Sequence, residues 1–191
     1  MGPPGAGIPR PSFGNSRPPG FSGGRIPGMP GPFGDVGRKS EAVGGLGGSE
    51  FLKVRSGQAV VGLAWVPGSW AGRTAIGLLD PLFDRGTPPS AGPPMPGFPR
   101  VPASAQKVIA REGYAVGGLV VDVDEYVSAV QPVFMRLRPD GKLDPADRYS
   151  GPWLGTPAGK RQQSIDGRGA KVIGIHGRGA AVIDAVGLVF E

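Results

Sequence analysis

The chain has 191 residues with 36 Gly, 23 Pro and no Cys, which excludes disulfides and thiolate metal sites and suits one domain with appended segments. Its net charge is +6, but the basic residues are scattered rather than clustered, which argues against nucleic acid as the main partner. No run approaches the ~20 apolar residues of a spanning helix and no apolar export signal stands at the N-terminus, so the chain as written is expected to be soluble and cytoplasmic unless it is part of a longer one.

Residues 1–43 hold nine of the Pro, with Gly, Ser and isolated Arg between them. Such a segment cannot bury enough apolar area to offset its ordering entropy, so a disordered Gly/Pro-rich tail is expected. Gly2, Pro3, Pro4 and Gly5 begin like collagen, but Ile8 breaks the triplet period at once. A flexible tether is one role for the tail, and a polyanion or RNA contact through its Arg residues is another.

A domain is expected over residues 44–191, entered through Gly44, Gly45, Gly47 and Gly48 around Leu46. Strands are expected near residues 51–55, 59–65 and 75–82, with a hairpin tip at 68–72 that presents Trp70. Residues 84–102 are Pro-rich and aperiodic and read as an exposed loop insert. Further strands are expected at 106–110, 114–123, 127–137, 161–165, 171–175 and 183–190. No window shows a 3.6-residue apolar period, so the class is all-β.

The last of these strands belong to a recurring design. Val61, Gly62 and Leu63 precede Ala75 to Leu79; Val116, Gly117 and Gly118 precede Ala129 to Phe134; Ile173, Gly174 and Ile175 precede Ala185 to Phe190. Gly62, Gly117 and Gly174 lie 55 and 57 residues apart. Three β-ribbons of one design at near-equal spacing predict a threefold pseudo-repeat, closed like a prism from three sheets.

With these residues in view the chain resembles the jacalin-type lectins, whose fold is the β-prism I with threefold pseudo-symmetry. The likeness is carried by the stretch from Ile175 through His176, Gly177, Arg178 and Gly179 to Asp184, Ala185, Val186 and Gly187. It is similar to the family's closing pattern of Gly-Arg-Ser-Gly, three residues, Asp, a small residue, Ile or Val, then Gly. Gly47, Gly48 and Phe51 resemble its Gly-rich first strand, and the middle of the chain looks like a bacterial branch of jacalin-like proteins. The resemblance implies a shallow monosaccharide site for a mannose- or galactose-type glycan, without cofactor, metal or catalysis. Asp184 would accept hydrogen bonds from sugar hydroxyls, an ionised carboxylate being a strong acceptor. The backbone of Ala181 and Val182 and of Gly47 or Gly48 would donate others. One position departs from the pattern: Ala180 stands where the family's sugar loop opens on Gly, with Gly179 one place earlier. If left-handed backbone is needed there, Ala180 would be strained. That departure keeps a second reading open, a structural or protein-interaction prism without sugar binding. A homo-oligomer is also left open.

Other candidates read more simply as structure. His176, the only His, lacks an orienting partner and a nucleophile and reads as a structural or rim residue. Asp122 and Asp124 share a strand face and read as solvated acids rather than a Ca²⁺ site. Asp144 and Asp147 read as Asx-turn residues of a loop. The segment 155–160 has the wrong spacing for a phosphate loop. Trp70 at its hairpin tip could stack on a sugar ring as a second site.

Overall fold

The computed structural model describes residues 37–84, 102–158 and 161–191. The expected tail up to residue 36 and nearly all of the expected Pro-rich insert lie outside them. The described residues form thirteen strands and no helix. In chain order these are β1 (Arg38–Lys39), β2 (Val43–Gly44), β3 (Ser49–Val54), β4 (Val60–Trp70), β5 (Arg73–Phe83), β6 (Gln106–Ile109) and β7 (Tyr114–Val123). They continue with β8 (Val127–Leu137), β9 (Leu143–Ser150), β10 (Leu154–Gly155), β11 (Gln162–Asp166), β12 (Val172–Gly179) and β13 (Ile183–Phe190).

Each of three sheets is built on one long antiparallel hairpin: β4–β5, β7–β8 and β12–β13. A shorter strand pairs with the first strand of each, β6 on β4, β11 on β7 and β3 on β12. β9 and β10 flank β8, and β1 and β2 flank β13. The three expected ribbons are therefore present, and the described residues form an all-β prism.

The register shows the pseudo-symmetry more closely than the sequence reading did. Val60, Val116 and Val172, all fully buried, pair across to Phe83, Phe134 and Phe190. The next residue of each first strand, Val61, Gly117 or Ile173, is a bulge without a partner. These bulges are equally spaced, 56 residues apart (117 − 61 and 173 − 117). The true equivalents are thus Gly62, Gly118 and Gly174, one residue off the expected set in the second repeat. A bulge bends its strand and raises its twist, which lets three flat ribbons curl around one core.

That core is filled from all three sheets by Leu63, Ile76, Leu119, Phe134, Ile175 and Leu188, each at most 1% exposed. A fully buried side chain of this kind contributes about 1.5–3 kcal/mol. At the end where the hairpins turn, Ala75, Tyr126 and Val182 pack together as a separate cluster. Counted back from Phe83, Phe134 and Phe190, each of the three stands eight residues earlier, so they are equivalent (83 − 75, 134 − 126 and 190 − 182). One side chain from each ribbon therefore meets on the axis.

Four expectations are corrected. Ordered structure starts before residue 44: Arg38 and Lys39 pair with Phe190 and Val189. The Ser40 N–H donates to the Leu188 carbonyl and its hydroxyl accepts from the Leu188 N–H, both at 2.9 Å. The polar residues there conceal an edge pairing made by backbone and the Ser40 hydroxyl. Pro145 and the acids around it make residues 143–150 look like a loop in the sequence; they form the edge strand β9, and Pro145 sits where its register against β8 is irregular, a position that tolerates proline. Short β10, of two residues, was also not foreseen. The first hairpin tip is only Ala71 and Gly72, with φ of 49° and 75°. This is the type I′ geometry that matches strand twist.

Candidate functional site

Asp184 is placed by a second bulge. β12 and β13 pair Arg178 with Ala185 and then Gly179 with Ile183, so Asp184 is the extra residue on β13. A bulge re-aims a side chain, and this one breaks the run of inward apolar residues with a half-buried carboxylate at the end of the prism. The residues from Val43 to Ser49 lie against it. Gly44 pairs with Ala185, and the Gly45 N–H donates to the Asp184 carbonyl at 2.8 Å.

Gly47 and Gly48 come to the carboxylate itself. A Cβ on Gly47 would stand 2.6 Å from Asp184 Oδ1, and one on Gly48 would stand 2.7 Å from Oδ2. Gly48 also has a φ of 64°, so a side chain there would be strained as well as crowded. The two glycines are therefore required by close approach, and they leave the carboxylate open rather than covered. Asp184 makes no side-chain hydrogen bond or ion pair with any described residue. Within this end of the prism it is an acceptor waiting for donors.

Sequence reasoning missed the residue that shapes this loop. Arg178 donates through Nε to the carbonyls of Leu46 (3.1 Å) and Gly47 (3.0 Å), and through Nη2 to that of Gly48 (2.8 Å). Its Nη1 reaches Glu50 Oε1 at 3.2 Å. A guanidinium fork pins three successive carbonyls at once, which a lysine could not do. The available signal was the Gly-Arg-Gly context at an outward position of the last ribbon, with the Arg facing a glycine loop that has no side chains of its own to fix it.

The opposite turn supplies backbone only. Ala180 and Ala181 are exposed, and the Ala180 N–H donates to the Val182 carbonyl at 2.9 Å. Val182 is 5% exposed, its side chain turned to the axial cluster with Ala75 and Tyr126. Among the described non-glycine residues only Ala71 and Arg168 have positive φ, so Ala180 carries no strain and the expected penalty is absent.

The other two ribbons have the same bulge with different chemistry. On β8 the extra residue is Ser128, between the pairs Asp122↔Ala129 and Val123↔Val127. On β5 it is Gly77. Ser128 is buried and gives its hydroxyl to Asp122 Oδ1 at 2.6 Å. Asp122, the counterpart of Arg178, is fully buried and also accepts from the Ala158 N–H (2.9 Å) and Gln162 Nε2 (3.2 Å). This corrects the expectation of a solvated strand face: Asp122 is a structural knot that ties the loop after β10 to its ribbon. Asp124 ion-pairs with Arg73 Nη1 at 2.8 Å, joining the first and second hairpin tips. Trp70, 53% exposed, stands on the first ribbon, whose bulge offers glycine and no carboxylate.

The remaining candidates are structural, as expected for His176 and Asp144. His176 Nε2 lies 3.1 Å from the Ser40 carbonyl, and burial is the main cause holding its pKa below the usual value. Asp144 accepts from the Ala146 N–H at 3.0 Å, an Asx turn, and pairs with Arg138, whose hydrogen bond lowers its pKa. Asp147 differs from expectation: it accepts from the Tyr114 hydroxyl at 2.8 Å rather than from its own loop.

Three ribbons around one core, with a glycine loop closing over the last, define the β-prism fold of the jacalin-related lectins. Solved structures sharing it include the mannose-specific jacalin-related lectin of Morus nigra in complex with mannose, 18% identical over 81% of this chain and 94% of that one, with a TM-score of 0.51. Frutapin, a lectin from Artocarpus incisa, is 15% identical over 83% and 99%, with a TM-score of 0.54. Artocarpin, a lectin with mannose specificity, is 14% identical over 81% and 97%, with a TM-score of 0.55. At these identities the likeness is one of fold. No protein-family model and no curated protein matches the sequence.

Proposed function

We propose that this chain is a non-catalytic carbohydrate-binding domain that holds one sugar ring at Asp184, Gly47, Gly48 and the backbone of Ala181 and Val182. The observation that carries the reading is the half-buried Asp184 carboxylate, unpartnered among the described residues and bordered by two glycines whose side chains would cover it. A charged acceptor of this kind forms short, strong hydrogen bonds with paired hydroxyls. A glycine wall lets a ring approach the backbone. Mannose specificity among proteins of this fold makes a mannoside the first ligand to test, with a galactoside as the comparison. Ala180, which favoured a prism without sugar binding, has no left-handed backbone and gives that alternative no support. The polyanion reading rests on the tail, outside the described residues.

Isothermal titration of the full chain with methyl α-mannoside and methyl α-galactoside tests this. Asp184→Asn keeps the shape of the side chain and removes its charge. It is expected to weaken binding at least ~10-fold, since hydrogen bonds to a charged group contribute about 1.5–3 kcal/mol. Because Asp184 has no described partner to lose, the melting temperature should stay within about 2 °C of the parent. Undiminished binding in this variant would remove Asp184 from the site.

A further inference from the structure

The geometry points to a second binding site, for an oxyanion, at the end of the prism remote from Asp184. The three hairpin turns meet at the Asp184 end. A cavity of about 520 Å³ opens instead where β8 and β13 finish and β12 begins. This volume is in the range of small-ligand sites.

The lining carries four cations, Arg138, Lys142, Arg168 and Lys171, against two acids, Asp140 and Glu191. Glu191 is paired with a cation, and Asp140 is bonded to a backbone amide and keeps its charge, which leaves cations in excess in the lining. Asp140 Oδ1 accepts from the Lys142 N–H at 3.0 Å, and Glu191 pairs with Lys171 at 2.5 Å. Arg138 is held by Asp144 at 2.8 Å. The Lys142 ammonium and the Arg168 guanidinium have no partner among the described residues. Two uncommitted cations thus border one concavity, and an oxyanion supplies the missing charge and acceptors.

The backbone places Arg168 at this cavity. Its φ is 53°, in the turn closed by the Ala170 N–H donating to the Gly167 carbonyl at 3.1 Å. Glycine suits this conformation at no steric cost, and Gly167 and Gly169 stand on either side. Arg168 and Gly169 (φ 86°) form the central pair of a type I′-like turn, as Ala71 and Gly72 do, and this turn sets the Arg168 side chain at the cavity. Arg168 presents a planar fork to a sulfate, phosphate or carboxylate, and Lys142 presents a point charge.

The test uses the full chain labelled with ¹⁵N and titrated with sodium sulfate against sodium chloride at matched ionic strength. Sulfate is expected to shift the amide signals of Gly141 and residues 167–170 saturably, and chloride is not. Arg168→Gly relieves the backbone, so this variant should melt at or above the parent temperature while its sulfate affinity falls about tenfold. Lys142→Ala should weaken sulfate similarly, and Asp184→Asn should leave it unchanged. A sulfated monosaccharide run in parallel separates the sources: tighter binding than inorganic sulfate assigns the site to a glycan-borne ester, and equal binding assigns it to a free oxyanion. Identical responses to sulfate and chloride, or full sulfate affinity in both Arg168→Gly and Lys142→Ala, overturn the site.

Discussion

Asp184 and Arg178 sit six residues apart on the last ribbon and do opposite work with opposite charges. Arg178 spends its donors on the carbonyls of residues 46–48, which sets the glycine loop. Asp184 spends its acceptors on nothing in the described chain. Its position was legible in the sequence because the spacing from Gly179 and the small residue at Ala185 follow a known closing pattern. The role of Arg178 was not legible, since its partners are backbone oxygens more than 100 residues away. His176 carries the prediction at this scale. Burial holds its folded pKa below the usual 6.5, so the unfolded chain binds the proton more readily. Its contribution to stability is therefore full above about pH 6.5 and is lost as the pH falls through the lower folded value. Urea midpoints at pH 7.5 and 5.5 should differ more in the parent than in His176→Gln; the same difference in both would assign the pH dependence to other groups.

The ribbons repeat a backbone plan and vary its chemistry. All three carry a bulge at the same place on their second strand, filled by Gly77, Ser128 and Asp184. Strand positions were readable from β-branched alternation, and β7, β8 and β13 fall at the expected residues. Bulges were not readable, because nothing in composition distinguishes an extra residue from a paired one. That is why Gly117 rather than Gly118 looks like the repeat position in the sequence. The same blindness hid the burial of Asp122, which lies at the position of Arg178 and looks from sequence like one of several surface acids. Asp122→Ala should leave the Ser128 hydroxyl, the Ala158 N–H and Gln162 without their acceptor. A loss of about 3 kcal/mol in unfolding free energy is expected from urea denaturation. Sugar affinity should be unchanged, because the knot belongs to a different ribbon from the site. A loss under about 0.5 kcal/mol would mean that solvent replaces these bonds.

At the scale of the molecule, the prism is closed by its ends in sequence. β1 and β2 come from the start of the described chain and pair with β13, the last strand. The glycine loop at Gly47 and Gly48 follows directly on β2, so the strand that closes the fold also leads into the candidate site. Threefold symmetry would allow three sites, but among the described residues only the last ribbon carries a carboxylate at its bulge. The second has its hydroxyl tied to Asp122, and the first has none. The chain should therefore take up one monosaccharide, and Trp70 should not mark another. The most direct check is a ¹⁵N amide titration of the full chain with methyl α-mannoside and methyl α-galactoside. The account predicts saturable shifts from at least one sugar, confined to Gly47, Gly48 and residues 180–184 with a single binding isotherm. Shifts centred on Trp70 or on residues 124–128, or none with either sugar at concentrations up to tens of millimolar, would contradict it.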